Sequence, residues 1–157
     1  MPKISVITPC FNEEANVKEC YERLRKVMEN NLSDYEYEHI FADNASIDST
    51  FDILREIARV DKRVKVILNS RNVGPFRNMW NAMKSATGDI VIPLLPADLQ
   101  DPPEVIPSLV KNWETGDLVV FGVRKNREES IFMRMLDRKS TRLNSSHVSE
   151  SRMPSSA

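Results

Sequence analysis

Asp98, Gln100 and Asp101 place three hard oxygen donors within four positions, a set suited to Mg²⁺ or Mn²⁺ shared with a diphosphate. Asp101 also stands directly before Pro102-Pro103, where it makes a good helix N-cap, so Asp98 is the better ligand candidate. Asp43 opens the run Asn44-Ala45-Ser46-Ile47-Asp48-Ser49-Thr50. A carboxylate there can accept a hydrogen bond from a nucleobase N–H, whereas Asp48 and Ser49 read as turn and capping residues. Arg124 and Arg127 offer guanidinium groups that can clamp phosphate bidentately, with a solvated basic loop as the plainer reading. Neither GxGxxG nor GxxxxGK[ST] occurs, so a dinucleotide fingerprint or a P-loop has no support. Cys10 has no neighbouring histidine to activate it and reads as a small buried residue. His39 alternates with strand residues and reads as structural; His147 receives no role.

These residues need elements to hold them. Ile4 to Thr8 is a buried-strand run ending at Pro9. Glu14 to Asn30 sets Val17, Cys20, Tyr21, Leu24, Val27 and Met28 on one helical face. Tyr35 to Ala42 is strand-like, and Ser49 to Val60 is a helix with Phe51, Leu54, Ile57 and Ala58 on one face. A strand over Val64 to Leu68 precedes a helix over Pro75 to Ala86 carrying Phe76, Met79, Trp80 and Met83. Asp89 to Leu95 is the fourth strand. Pro102 to Glu114 is a helix with Val105, Leu109 and Trp113 inward, and Leu118 to Val123 is a fifth strand. Strands alternating with helices imply right-handed crossovers and a mostly parallel sheet. Such sheets bind ligands beyond the carboxyl ends of their strands, where the five polar loops should converge.

Composition narrows the function classes. The chain has 157 residues, 41% of them hydrophobic, enough for one domain or a piece of a larger one. With 22 basic and 23 acidic side chains the net charge is −1, which gives no sign of a nucleic-acid-coating surface. Two cysteines make no disulfide framework, and two distant histidines make no zinc site. No apolar run approaches the roughly 18 residues of a membrane span, and MPKISVITPCF lacks the build of a signal peptide. The expectation is a cytoplasmic α/β domain.

The last stretch stands apart. From Ser140 to Ala157 seven of eighteen residues are serine, against eight in the 139 residues before. It has no apolar periodicity with which to bury a face, so it is expected to be disordered. It is similar to translated cloning or adapter sequence, and Ile131, Phe132, Met135 and Leu136 read as a helix cut short. The expected organisation is an incomplete domain over 1–139 and an artefactual tail over 140–157.

Taken together, the loops resemble family 2 glycosyltransferases of the GT-A fold, and among them the polyprenyl-phosphate transferases. ITPCFNEEANV is similar to the family's P-x-Y-N-E-E opening, with Phe11 for the usual Tyr. ADNASIDST is similar to D-D-G-S-x-D-x-T, with Asn44 and Ala45 substituted. NSRNVG resembles the N-x-G stretch, PADLQDPPE resembles D-A-D-L-Q-D-P-P-E, and FGVRKNREES resembles the G-x-R loop. Five such segments in order, from about Ile4 to Arg138, make a specific match.

The resemblance implies that Pro9, Phe11 and Glu13 line the nucleoside pocket, that Phe41 and Asp43 hold the base, and that Ala97 and Asp98 meet the nucleotide sugar. Asp98 and Gln100 would bind a divalent metal (Mg or Mn), and Arg124 and Arg127 the phosphates, with Asp98 and Arg124 as the catalytic pair. Pro96 replaces the first acid of the D-x-D triplet and removes one carboxylate from the metal site. The implied reaction is inverting transfer of a hexose from a nucleoside-diphosphate sugar to a polyprenyl phosphate, at the cytoplasmic face of a membrane in the full-length protein. Transfer to a sugar hydroxyl in surface-polysaccharide assembly, or nucleotide binding without turnover, are the alternatives. No nucleic-acid partner is expected, and homo-oligomerisation is left open.

Overall fold

A computed structural model describes residues 1–122. The elements run β1 (Lys3–Cys10), α1 (Val17–Asn31), β2 (Glu36–Asp43), α2 (Thr50–Val60), β3 (Val64–Leu68), α3 (Pro75–Met83) and β4 (Ile90–Ile92). A 3₁₀ turn at Pro103–Val105 then leads into α4 (Ile106–Glu114). The strands form a parallel sheet in the order β3-β2-β1-β4. Connecting parallel neighbours requires crossovers, and the helices supply them.

The sheet's two faces differ because side chains alternate along each strand. Ile4, Val6 and Cys10 of β1 and Phe41 of β2 face the main core, closed by Val17, Cys20, Leu24 and Met28 of α1, Leu54 of α2, and Ile106 and Val110 of α4. The opposite face carries Ile7, Ile40 and Ala42 under Ala82 of α3. Register places Cys10 beside Asp43, so the first two strands end level at one rim.

Four expectations are corrected. On α3 the buried residues are Asn78 and Ala82, while Phe76 and Trp80 are 81% and 57% exposed. Asn78 fixes that rotation: its Nδ2 donates to Ala42 O at 2.7 Å, and its Oδ1 accepts from Asn69 Nδ2 at 2.8 Å. The fourth strand is cut to three residues, because Pro93 and Pro96 have no N–H to donate. Leu95 N still reaches Ile7 O at 2.8 Å. The helix after the Pro102-Pro103 pair begins only at Ile106 and buries Ile106 and Val110, leaving Val105 exposed. Among the described residues Leu118 to Gly122 forms no strand, and Leu118, Val119 and Phe121 are exposed. Val123 and everything after it, including Arg124, Arg127 and the serine-rich stretch, lie outside the described residues. Among the described residues no helix is long and apolar enough to cross a membrane.

Candidate nucleotide-sugar site

The loops after β1 and β2 are laced together. Asp43 is fully buried at the end of β2, and its Oδ1 accepts from the amide of Ser46 at 3.3 Å and from the Ser46 hydroxyl. The Ser46 oxygen in turn accepts from Asn12 N at 2.9 Å, while Asn12 Oδ1 accepts from Ile47 N at 2.9 Å. One residue on, Glu13 N donates to Thr50 Oγ1 at 2.8 Å, and that hydroxyl donates to Asp48 Oδ1 at 2.6 Å. Asp48 also accepts from Thr50 N at 3.0 Å and Glu14 N at 3.2 Å, and Glu14 returns a bond from Ser49 N at 3.0 Å. Burial disfavours the charge on Asp48, but these donors outweigh it and hold its carboxyl below the usual range.

A second lattice, built of carboxamides, ties β2 to the loop after β3. Asn44 Nδ2 donates to Asn72 Oδ1 at 2.9 Å, and Asn44 Oδ1 accepts from Val73 N at 2.9 Å and Asn69 Nδ2 at 3.2 Å. Gly74 N donates to Asn72 Oδ1 at 2.9 Å. Backbone N–H groups can only donate, so Val73 and Gly74 fix which end of each amide faces which partner. Asn44 is 3% exposed and wholly absorbed by this lattice.

Within this frame Asp43 Oδ2 is buried and makes no hydrogen bond among the described residues. A buried carboxylate oxygen without a donor is costly, so it marks a place for one. Three non-glycine residues adopt the left-handed region, Asn12 (φ 57°), Ala45 (φ 61°) and Leu99 (φ 58°), one in each of the loops after β1, β2 and β4. Such backbone costs about 1–2 kcal/mol at an L-residue and clusters where loops are shaped for a ligand.

The other sequence-derived residues divide. Pro9 and Glu13 are half-buried and Phe11 is 45% exposed, all beside the β1 end. Glu13 Oε2 accepts from Asn16 Nδ2 at 2.7 Å. Phe41 does not reach the rim: it is fully buried in the main core, its ring 3.9 Å from that of His39. Ala97 is likewise a core side chain, so only its backbone can meet a ligand. Cys10 is buried, and desolvation, then Cys20 and Asp43, push its thiol well above the usual value, which leaves it inert. His39 is structural as expected; its Nε2 pairs with Thr8 Oγ1 at 2.9 Å.

Asp98 is exposed after β4, and Gln100 folds back on it, its N at 3.2 Å from Oδ1 and its Nε2 at 2.9 Å from Oδ2. Among the described residues no three His, Cys, Asp or Glu gather as a metal site. One carboxylate and one carboxamide are hard donors that fit a cation retaining water and sharing substrate phosphates. The lacing residues Asn12, Glu14, Asn44, Asn69 and Asn72 were missed from sequence. Their signal was the crowding of short polar side chains into the loops that face each other across β1, β2 and β3.

The structure resembles the mannosyltransferase PcManGT from Pyrobaculum calidifontis, solved in complex with GDP-Man and Mn²⁺ (TM-score 0.62, 24% identity, 76% of this chain and 34% of that one). It also resembles S. aureus TarS solved with UDP (TM-score 0.61, 25% identity, 82% and 38%). The fold is that of the GT-A glycosyltransferases. In sequence the chain is 38% identical over 125 residues to a prophage bactoprenol glucosyl transferase homolog of Escherichia coli K12, covering 80% of this chain and 40% of that protein. It is 40% identical over 131 residues to the undecaprenyl-phosphate 4-deoxy-4-formamido-L-arabinose transferase of Proteus mirabilis, covering 83% and 39%. The chain thus spans about two fifths of the length of these relatives. The family model for glycosyl transferase family 2 matches residues 5–155, a span that takes in most of the serine-rich stretch. With loops, sheet and matches in agreement, this chain belongs to glycosyl transferase family 2.

Proposed function

We propose that this chain is the donor-binding part of an inverting hexosyltransferase that moves a sugar from a nucleoside diphosphate to a polyprenyl phosphate at the cytoplasmic face of a membrane. The observation that carries the reading is Asp43 Oδ2, buried at the strand-end rim without a donor among the described residues. A base N–H is a donor of the right kind, and Phe11 and Pro9 beside it offer apolar surface to the nucleoside. The acceptor class comes from the relatives, whose names specify bactoprenol and undecaprenyl phosphate.

In this reading Asp43 accepts the base N–H while Ser46 holds its other oxygen, so the carboxylate is aimed before the nucleotide arrives. Glu13 faces the nucleoside from the β1 loop. Asp98 and Gln100 would hold Mg²⁺ or Mn²⁺, which when bound neutralises charge on the departing diphosphate. Arg124 and Arg127, outside the described residues, are assigned to the donor or acceptor phosphate. The acceptor phosphate oxygen is already anionic, so its attack on the anomeric carbon needs no strong general base. The new C–O bond forms as the bond to the nucleoside diphosphate breaks, with inversion. Pro96 leaves the cation fewer protein anions, so metal and nucleoside diphosphate should bind with reciprocal coupling.

Calorimetric titration of UDP and GDP into the 157-residue chain, with and without Mn²⁺, tests the reading. Asp43→Ala should weaken nucleotide binding by about 1–3 kcal/mol in both metal states, from one lost charge-assisted bond. No binding of either nucleotide by the wild-type chain, or an Asp43→Ala effect seen only with Mn²⁺, would overturn the base-binding assignment.

A further inference from the structure

The arginines before β3 and those around α3 are treated differently. All five arginines before β3 or at its entry are ion-paired: Arg23 with Glu104 (2.8 Å), Arg25 with Glu29 (3.0 Å), Arg55 with Asp52 (3.0 Å), Arg59 with Glu56 (2.9 Å) and Arg63 with Asp61 (2.8 Å). Arg71 and Arg77, on and before α3, form no ion pair with any described residue, and neither does Lys84 at its C-cap. From Asn69 to Gly88 the sequence holds these three cations and no acid, in a chain whose net charge is −1.

The same helix exposes its aromatic residues. Asn78 and Ala82 face the sheet, so Phe76 and Trp80, spaced i and i+4, project on the opposite side. At 100° per residue Arg77 and Lys84 fall on the flank of that pair. The outward face is thus an aromatic patch bordered by unpaired cations. Exposed Phe and Trp beside Arg and Lys is the composition of helices that lie in a bilayer interface, with rings at headgroup depth and cations on anionic lipid.

We propose that the outward face of α3 (Phe76, Trp80, Arg77 and Lys84, with Arg71 before it) is a docking surface for an anionic lipid bilayer. Charge complementarity selects the occupant: an acidic lipid surface supplies many anions to cations that this fold leaves unmatched. The choice of a membrane over a protein rests on the reading above, in which the acceptor is lipid-linked and the reaction occurs at a membrane surface. Docking through α3 is separate from the nucleotide site, so each can be measured without the other.

The probe is vesicles of phosphatidylcholine alone and of equimolar phosphatidylcholine and phosphatidylglycerol. The chain has two tryptophans, so Trp113→Phe leaves Trp80 as the reporter. Trp80 emission should shift to the blue with the anionic vesicles, little with neutral ones, and the shift should fade with added salt. Phe76→Ser with Trp80→Ser, read by co-sedimentation, should lower vesicle affinity about tenfold. Arg77→Glu with Lys84→Glu should remove the preference for anionic lipid. All four side chains are exposed, so thermal melts and UDP or GDP titrations of these variants should match the parent chain. Absence of co-sedimentation would overturn the proposal. So would co-sedimentation with Trp80 emission unmoved, which places the contact elsewhere on the chain. A blue shift that grows with protein concentration without lipid, with dimers in sedimentation, would assign the face to a second copy and overturn it too. If nucleotide binding fails while Trp80 still enters anionic vesicles, the function proposed above falls and this surface stands.

Discussion

The rim has two ends that are built differently. At the end of β1 and β2, nine hydrogen bonds link Asn12, Glu13, Glu14, Ser46, Ile47, Asp48, Ser49 and Thr50 into one frame around Asp43. After β4, Asp98 is held by Gln100 two residues along in its own loop. The first end is tied together within the chain itself; the second offers one exposed carboxylate, which in the proposed function would meet a cation shared with the donor diphosphate. Base recognition should therefore resist changes at the β4 loop, and stability should depend on the β1–β2 frame.

The largest effect is expected at Thr50. Its hydroxyl is fully buried, accepts from Glu13 N and donates to Asp48. Thr50→Val keeps the volume but strands the part-buried Glu13 N–H and loosens a carboxylate, which should cost about 2–3 kcal/mol. Urea unfolding reads the loss, and Thr50→Ser should recover most of it. If Thr50→Val unfolds like the parent chain, the lacing is not what holds this end together.

Acid should act on the same end. His39, four residues before Asp43 on β2, is buried against the Phe41 ring, and burial pulls its ring down to about 3 from an ordinary 6.5. A depressed folded value means that stability is full above pH 6.5 and drains away as pH falls from there toward 3. Between pH 6.5 and 5 one such group removes about 2 kcal/mol. Glu38 adds its own loss lower down. Burial opposes its charge, but Lys65, Ser5, Thr87 and Lys3 hold it at about 2, so its contribution fades only below about 4.5. Denaturant melts at stepped pH should show the earlier fall, and His39→Gln should flatten it.

Ala45 tests whether the frame is strained. Its φ of 61° is one that glycine adopts freely and alanine does not. Ala45→Gly should stabilise the chain by about 1 kcal/mol, after glycine's entropy is set against the relieved backbone. An unchanged urea midpoint would mean that the loop already relaxes around alanine.

What was legible in the sequence follows from which forces are periodic. Alternating and helical apolar spacing marked β1, α1, β2, α2 and β3 to within three residues, because burial of a face dictates that spacing. The same rule misread α3, where a polar side chain, Asn78, takes the buried position by bonding to a strand carbonyl. It also overextended β4, where prolines end the ladder, and placed a strand at Leu118 where the described residues form none. Asp43 and Asp98 lie where the sequence places them, at the end of β2 and in the loop after β4, because position at a strand end is readable. Phe41 and Ala97 were placed at the rim by resemblance, yet strand alternation and the loop's path turn them into the core. The lacing left only the crowding of short polar side chains as a sign, since the bonds that join the β1 loop to the β2 loop link residues 34 to 37 apart in sequence.

The smallest stability effect, and the sharpest contrast between the two ends, is expected at Asp98. The residue is exposed, and its visible ties are to Gln100, so Asp98→Asn should change folding stability by less than about 0.5 kcal/mol. Its consequence should appear only when Mn²⁺ is present: the metal-dependent gain in UDP or GDP affinity should shrink, while metal-free affinity, governed by Asp43, stays put. Pro96→Asp runs the other way. It supplies an acid two residues before Asp98, so metal affinity should rise in the absence of nucleotide, and the coupling between metal and nucleotide should weaken because the cation depends less on the diphosphate. Mn²⁺ titrations with and without nucleotide, on the parent chain and both variants, give the four affinities needed. Equal losses in the two metal states for Asp98→Asn would merge the ends of the rim into one site and break the comparison.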